Sequence, residues 1–199
     1  MGGLWGYSLT MNVQFRRVIV PKEVRSLVIF DHKTFHEYPG DWFERDHWKI
    51  YESWWLIVDG RRVGCCAFEA NVDFKEDISE DRENRHLRGS LYIASTGILP
   101  AFRGLGLGSL MKCWQISYAR RHGFTRIVAN TRKSNRAMIT LNRSFGFKVL
   151  RSTPNYYGDP SEPTVVMELC LPSQREGYRR SIQPDIEFIR NRANLRQAR

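Results

Sequence analysis

Ile98-Leu99-Pro100-Ala101-Phe102-Arg103-Gly104-Leu105-Gly106-Leu107-Gly108 is the stretch whose reading decides the fold. Before it, Ser90 to Leu99 reads as a strand that Pro100 closes. After it, Leu107, Leu110, Met111, Trp114 and Tyr118 recur at helical spacing within Gly106 to Arg121. A glycine-rich turn between a strand and a helix lets the backbone approach a ligand closely. The helix start then aims free N–H groups and a positive dipole end at that ligand, and a diphosphate is the natural occupant. The turn is not a P-loop, since no Gly-Lys-Ser/Thr follows. The absence of G-x-G-x-x-G makes it a poor dinucleotide fingerprint.

Outward from this turn the pattern is regular. Asn12 to Val20 reads as a strand ended by Pro21, and Lys22 to Phe35 as a helix. Asp31 to Trp48 is aromatic and turn-rich, a loop with short helical pieces. Trp54 to Val58 and Val63 to Val72 flank Asp59-Gly60, a strong hairpin signal. Asp73 to Arg88 is a charged connection. On the other side, His122-Gly123 stops the helix and Thr125 to Thr131 is a short strand. Ser134 can cap a helix running to Phe145. Phe147 to Ser152 is a strand, a Pro/Asn/Gly-rich loop follows, and Thr164 to Leu171 is the last strand. Antiparallel strands followed by β-α-β-α-β make an α/β class with a mixed sheet.

The 199 residues suit one domain, 1–171, with a basic extension, 172–199. Hydrophobic residues at 42% fill a real core, and no apolar run has the length of a bilayer crossing. The first residues do not read as a secretion signal, so the expected location is cytoplasmic. Cys65, Cys66, Cys113 and Cys170 form no C-x-x-C pair and read as reduced, buried thiols. His32 and His36 have metal-compatible i, i+4 spacing but lack a clear third ligand, so no metal is expected.

The net charge is +10, and ten basic residues with no acidic one lie between Lys112 and Gly158. The extension adds seven Arg against Glu176, Asp185 and Glu187, and Ile182, Ile186 and Ile189 allow a narrow helical stripe there. Such a surface attracts a polyanion: a nucleotide cofactor, RNA or an anionic surface.

Arg103-x-x-Gly106-x-Gly108, with its lead-in Ile98 to Phe102, resembles the signature of the GNAT acetyltransferases. Ser134-Asn135-Arg136-Ala137-Met138 to Phe145-Gly146-Phe147 is similar to their next helix. Asn155-Tyr156-Tyr157-Gly158-Asp159 and Val166 to Leu169 resemble the tyrosine loop and last strand of the protein N-terminal branch, which includes ribosomal-protein alanine acetyltransferases. The resemblance covers Ser90 to Leu171 and implies the GNAT fold: a mixed, mostly antiparallel twisted sheet flanked by helices. It implies acetyl-CoA as cofactor. The backbone of Arg103, Gly104, Leu105, Gly106, Leu107 and Gly108 would hold the pyrophosphate, and Gly97 and Ile98 would run beside the pantetheine arm. Asn135 would bond that arm, and Arg103 or Arg136 would approach the 3′-phosphate. The acid-free basic block then reads as the polyanion side.

Acetyl transfer to nitrogen needs a neutral amine, a base to take its proton, and N–H donors for the thioester oxygen. Where the family often has a tyrosine acid, seven residues after the helix Asn, this chain has Asn142, which can hydrogen-bond sulfur but not protonate it. Where the ribosomal-protein branch has a candidate glutamate base, it has Asn130. These departures point to a relocated base, catalysis by positioning, or reduced activity. Glu69 and Tyr157 are nominated beside Asn142 for catalysis, although Glu69 reads equally well as a solvated strand-end carboxylate. Tyr38, Tyr156 and Tyr157 are nominated for the acceptor groove, with His36 and Glu37 behind them. Trp54 and Trp55 read as core.

The leading expectation is acetylation of a primary amine, preferably on a protein or peptide. Alternatives are an RNA-linked amine such as aminoacyl-tRNA, a small-molecule amine, or a non-catalytic acyl-CoA-binding module. Through the basic extension the chain can touch nucleic acid or the ribosome, or pair with a second copy as a homodimer. No membrane contact is expected.

Overall fold

The computed structural model describes residues 11–70 and 89–171. The charged connection 73–88 and the extension 172–199 lie outside the described residues.

Strand β1 (Val13–Arg17) leads into helix α1 (Val24–Thr34), a 3₁₀ turn (Pro39–Asp41) and helix α2 (Arg45–Ile50). A hairpin of β2 (Glu52–Val58) and β3 (Arg61–Ala70) follows, with Asp59 and Gly60 both at positive φ, as Asp-Gly hairpin turns require. Strand β4 (Ser90–Ile98) precedes the glycine turn and helix α3 (Leu107–Arg121). Then come β5 (Arg126–Arg132), α4 (Arg136–Ser144), β6 (Lys148–Gly158) and β7 (Ser161–Cys170).

The strands form one seven-stranded sheet in the order β1-β2-β3-β4-β5-β7-β6. Only β4 and β5 run parallel among the described pairs; the others are antiparallel. This is the mixed, mostly antiparallel sheet that the sequence implies. Two hydrophobic layers cover its faces. In one, Leu27 and Phe30 of α1 and Trp48 of α2 pack on Trp55, Cys65 and Ala67. In the other, Leu107, Met111, Ile116 and Tyr118 of α3 pack on Leu56, Cys66, Phe68, Leu91 and Ile127. Cys65 and Cys66 thus point to opposite faces, as neighbours on a strand must. Trp55 is core, and Trp54 packs on Trp114 and Tyr118.

Three local expectations are corrected. The α4 cap is Asn135, whose Oδ1 accepts from Met138 N–H at 3.1 Å; Ser134 instead donates to Glu162. The stretch 153–158, expected as a loop, continues β6. A register shift between Thr153 and Tyr157 and a positive φ at Asn155 absorb its turn-forming residues as a bulge. The ten basic residues are not one surface, because Lys112 and Arg132 are buried.

Candidate active site

The site begins where β4 leaves β5. The two strands pair from Ser90↔Arg126 to Ile93↔Ala129, yet β4 runs on to Ile98 and β5 to Arg132. A register shift on the β3 side places Ala67 opposite Ser95 and Phe68 opposite Ile93, so Ala94 bulges at the point of divergence. A bulge adds local twist, which turns β4 away from its parallel neighbour. Beyond Ile93 the edge of β4 facing β5 has no strand partner among the described residues. Its peptide groups stand ready for a ligand that carries amides of its own.

At the far end of β4 lies the glycine turn. Gly104 and Gly106 both adopt φ +80° with open space where a Cβ would stand. Gly106 is the N-cap of α3, and no side chain caps that helix. The first-turn N–H groups and the dipole end therefore face outward unmet by any side chain. Leu105 at the tip is exposed. The Arg103 guanidinium donates to the carbonyls of Ile98 (3.1 Å) and Thr34 (2.7 Å), which tie the turn to β4 and α1. Gly97 is buried against α1, where a Cβ would meet Thr34 Cγ2 at 2.5 Å. The residues fit acetyl-CoA: an anion cradle at a helix start, then an open strand edge long enough for a pantetheine arm. Arg136 is exposed at the start of α4.

A cavity of about 1110 Å³ opens between the diverging strands. Ile93 to Thr96, Lys112, Asn135, Met138 and Asn142 line one part of it, and Tyr38, Asp41, Asn155, Tyr156 and Tyr157 another. Asn142 is buried; its amide N–H points at Met167 Sδ (3.7 Å) and its Oδ1 has no hydrogen-bond partner. Across the cavity, the Tyr92 hydroxyl donates to Asn130 Oδ1 at 2.6 Å, and Asn130 Nδ2 donates to the Tyr156 hydroxyl at 3.2 Å. Glu69 pairs with Tyr92 across β3 and β4, and partial burial raises its carboxyl. The structure thus joins Tyr92, which the sequence reading missed, to Asn130 and Tyr156 by hydrogen bonds, with Glu69 opposite Tyr92 in the strand register. No local signal marked it, because its position at the site depends on the splay of β4 from β5 just beyond it.

The part of the cavity lined by Tyr38 and Tyr157 is braced by Arg132. Its guanidinium forks onto Asp41 at 2.6 and 2.8 Å and donates to the carbonyls of Pro160 and Asp159. Tyr38 and Tyr157 lie over it at 4.5 and 4.4 Å. Two of the three tyrosines nominated for the groove, Tyr38 and Tyr157, are therefore plates of a cation–π sandwich joining the 3₁₀ turn to the β6–β7 hairpin. Burial pushes the Tyr157 phenol up to about 12, so it holds its proton at neutral pH. Asp31, 3% exposed, accepts from Phe43 N–H at 2.8 Å, and burial raises its carboxyl to about 6. His32 stacks on Trp42 at 4.1 Å, and His36 lies near Glu37 at 3.9 Å.

The model of the Acetyltransferase (GNAT) family matches residues 22–147. The chain belongs to this family. N-alpha-acetyltransferase 50 of Danio rerio is 32% identical over 81 residues, 39% of this chain. The match spans about half that protein's length, 48%. Among solved structures, the ribosomal-protein-S18-alanine N-acetyltransferase of Escherichia coli superposes with a TM-score of 0.64 at 16% identity, covering 86% of this chain and all of the other. An acetyltransferase of Salmonella typhimurium, solved with its cofactor acetyl-CoA, gives 0.60 at 21% identity, covering 85% and 98%. At these identities the structural likeness carries the fold alone. The open β4 edge lies in the same fold as that Salmonella typhimurium structure solved with acetyl-CoA.

Proposed function

We propose that this GNAT chain moves an acetyl group from acetyl-CoA to a primary amine, and that the amine belongs to a protein or peptide. The observation that carries this reading is the single cavity between the diverging strands. Its lining joins the open edge of β4 to a groove walled by the 3₁₀ turn and the β6–β7 hairpin. Acetyl-CoA supplies the activated acyl group as a thioester. The N–H groups from Arg103 to Gly108 hold its pyrophosphate, and the edge beyond Ile93, including Gly97 and Ile98, aligns its arm. Asn142 offers its amide to the sulfur, and Asn135 lines the cavity at the α4 cap. On the acceptor side, Asn130 fixes the hydroxyls of Tyr92 and Tyr156 where an amine can meet them. Glu69, raised by burial, takes up the proton the amine sheds. Tyr38 and Tyr157, held by Arg132, wall a groove in which the extended β6 backbone suits a peptide partner. The peptide preference is further supported by the likeness to an N-alpha-acetyltransferase and to a ribosomal-protein-S18-alanine N-acetyltransferase.

Two measurements test this. Acetyl-CoA should raise the unfolding midpoint of the full chain, because a ligand that binds only the folded state stabilises it. An array of N-terminal peptides should then identify acceptors. No midpoint shift at saturating acetyl-CoA would overturn the cofactor assignment. Turnover on polyamines or drugs with none on any peptide would overturn the acceptor class.

A further inference from the structure

Four charged side chains are buried among the described residues: Glu23, Asp31, Lys112 and Arg132. Glu23 is paired with Arg16 and Arg62, Arg132 with Asp41, and Asp31 accepts a backbone N–H. Lys112, only 1% exposed, has neither an ion pair nor a hydrogen-bond acceptor among the described residues. Its Nζ rests 5.0 Å from the centre of the Phe147 ring, and the residue is among those lining the cavity between β4 and β5. The titratable group that acts on it is the Cys66 thiol of β3, which burial pushes up to about 12 and so keeps neutral. Gln115, one turn along α3, is tied to Thr96 at 2.7 Å, and Asn142 lines the same cavity from α4. An apolar residue at this helix position would be cheaper, since the ring contact offsets only part of the water an ammonium loses on burial.

The cavity offers few protons that can move near neutral pH. Tyr157 holds its own too tightly and lies against Arg132, and an amide such as Asn142 does not release one. Asp31, Glu69 and His47 also line the cavity, from α1, β3 and α2. Lys112 stands apart on α3, the helix whose first turn forms the anion cradle. Desolvation lowers its ammonium to about 8, close to the roughly 8.5 of an alkyl thiol. Such matching favours proton transfer between them.

We propose that Lys112 is the proton donor to the departing thiol sulfur, a role that rests on the acetyl-transfer reading above. The acceptor nitrogen forms its bond to the acyl carbon, and the carbon–sulfur bond breaks. The sulfur takes a proton from the Lys112 ammonium, leaving a neutral amine. The proton shed by the acceptor nitrogen returns through water and restores the ammonium. Acid and base roles are thereby divided between opposite walls of one cavity.

The test compares wild type, Lys112→Met and Lys112→Arg as full chains. First, the ionisation of bound CoA is read from its thiolate absorbance, with desulfo-CoA as the blank. The thiol pKa should be lower on wild type and on Lys112→Arg than on Lys112→Met, because a cation beside the sulfur favours thiolate. Second, kcat should fall on the order of 100-fold in both variants, with KM for acetyl-CoA unchanged. The basic limb of the wild-type kcat profile should vanish in Lys112→Met. Equal thiol pKa values in wild type and Lys112→Met, or an undiminished kcat, would overturn the proposal. So would a stable acetyl group on Lys112 after incubation with acetyl-CoA alone, which would make the amine a nucleophile. If acetyl-CoA fails to bind wild type, the acetyl-transfer reading itself falls. If it binds and these effects are absent, only the role of Lys112 does.

Discussion

Lys112→Met should make the fold more stable at neutral pH, and the gain should shrink as the pH rises. The lysine is fully desolvated, and its ammonium falls from 10.5 in the unfolded chain to about 8 in the folded one. A lowered base pKa means the folded state binds protons less tightly than the unfolded state. Below about pH 8 both states are protonated and the full penalty stands, a shift worth ~3 kcal/mol at 1.36 kcal/mol per unit. Between about 8 and 10.5 the folded state sheds its proton first, so the wild type gains stability with pH until the penalty is gone. Methionine keeps the unbranched shape, fills the same space beside Phe147 and carries no charge. Its advantage should therefore be ~3 kcal/mol at pH 7 and about half of that near pH 9.5. In a chain of this size it corresponds to a midpoint rise of roughly 6–12 °C at pH 7. Urea titrations of both proteins at the two pH values, with matched m-values, measure the difference directly. A variant less stable than wild type at pH 7, or a difference that does not change with pH, would refute the claim that an unpaired ammonium is buried there.

Asp31→Asn should behave in the opposite sense with pH. The folded carboxyl titrates at about 6 against 3.8 unfolded, so its ionisation costs ~3 kcal/mol at pH 7 and nothing well below pH 4. Asparagine still accepts from Phe43 N–H, so denaturant titration should find the variant stabilised at pH 7 and unchanged in acid. Gly97→Ala drives a methyl to 2.5 Å from Thr34 Cγ2 and 3.1 Å from Phe35 Cζ. Overpacking of this kind should lower stability by ~1–3 kcal/mol, visible as a lower thermal midpoint. Arg132→Met leaves Asp41 and the carbonyls of Asp159 and Pro160 without their donor. Stability should fall by ~2–4 kcal/mol, the partial exposure of Asp41 keeping the loss below that of a fully buried pair. Arg132→Lys should not restore it, since an ammonium lacks the planar fork. The companion readout is the KM for a peptide acceptor, which should rise in both variants.

Much of the fold was legible because it depends on short-range signals. The strand-turn-helix around residues 98–108, the Asp59-Gly60 hairpin and the periodicity of α3 each obey a local rule. The α4 cap was misplaced by one residue because Ser134 and Asn135 are both good capping types, and the choice rests on the angle at which the chain leaves β5. Asn155, Pro154 and Gly158 signal a turn in any local reading. Pairing with β7 overrides them, and the bulge is what remains of their preference. The splay of β4 from β5 was not legible, since it depends on a bulge at Ala94 set by the partner strand β3.

The charges show where a sequence reading stops and packing begins. Lys112 and Arg132 were counted with exposed basic residues because a run of like charge carries no information about depth. For Lys112 a signal did exist. Gly108, Lys112, Gln115 and Ala119 recur at i, i+4, i+7, i+11, a second stripe beside the apolar one of Leu107, Met111, Trp114 and Tyr118. Lys112, Gln115 and Ala119 are all buried. A helix lying over a sheet that splits must cover both the packed strands and the split, so its buried face is wider than one stripe. The apolar stripe meets the packed core. The second stripe is divided: Ala119 joins the packed core, Gln115 is tied to Thr96 of β4, and Lys112 lines the cavity. Lys112 lies at the cavity wall, although its neighbours in sequence make it resemble the surface.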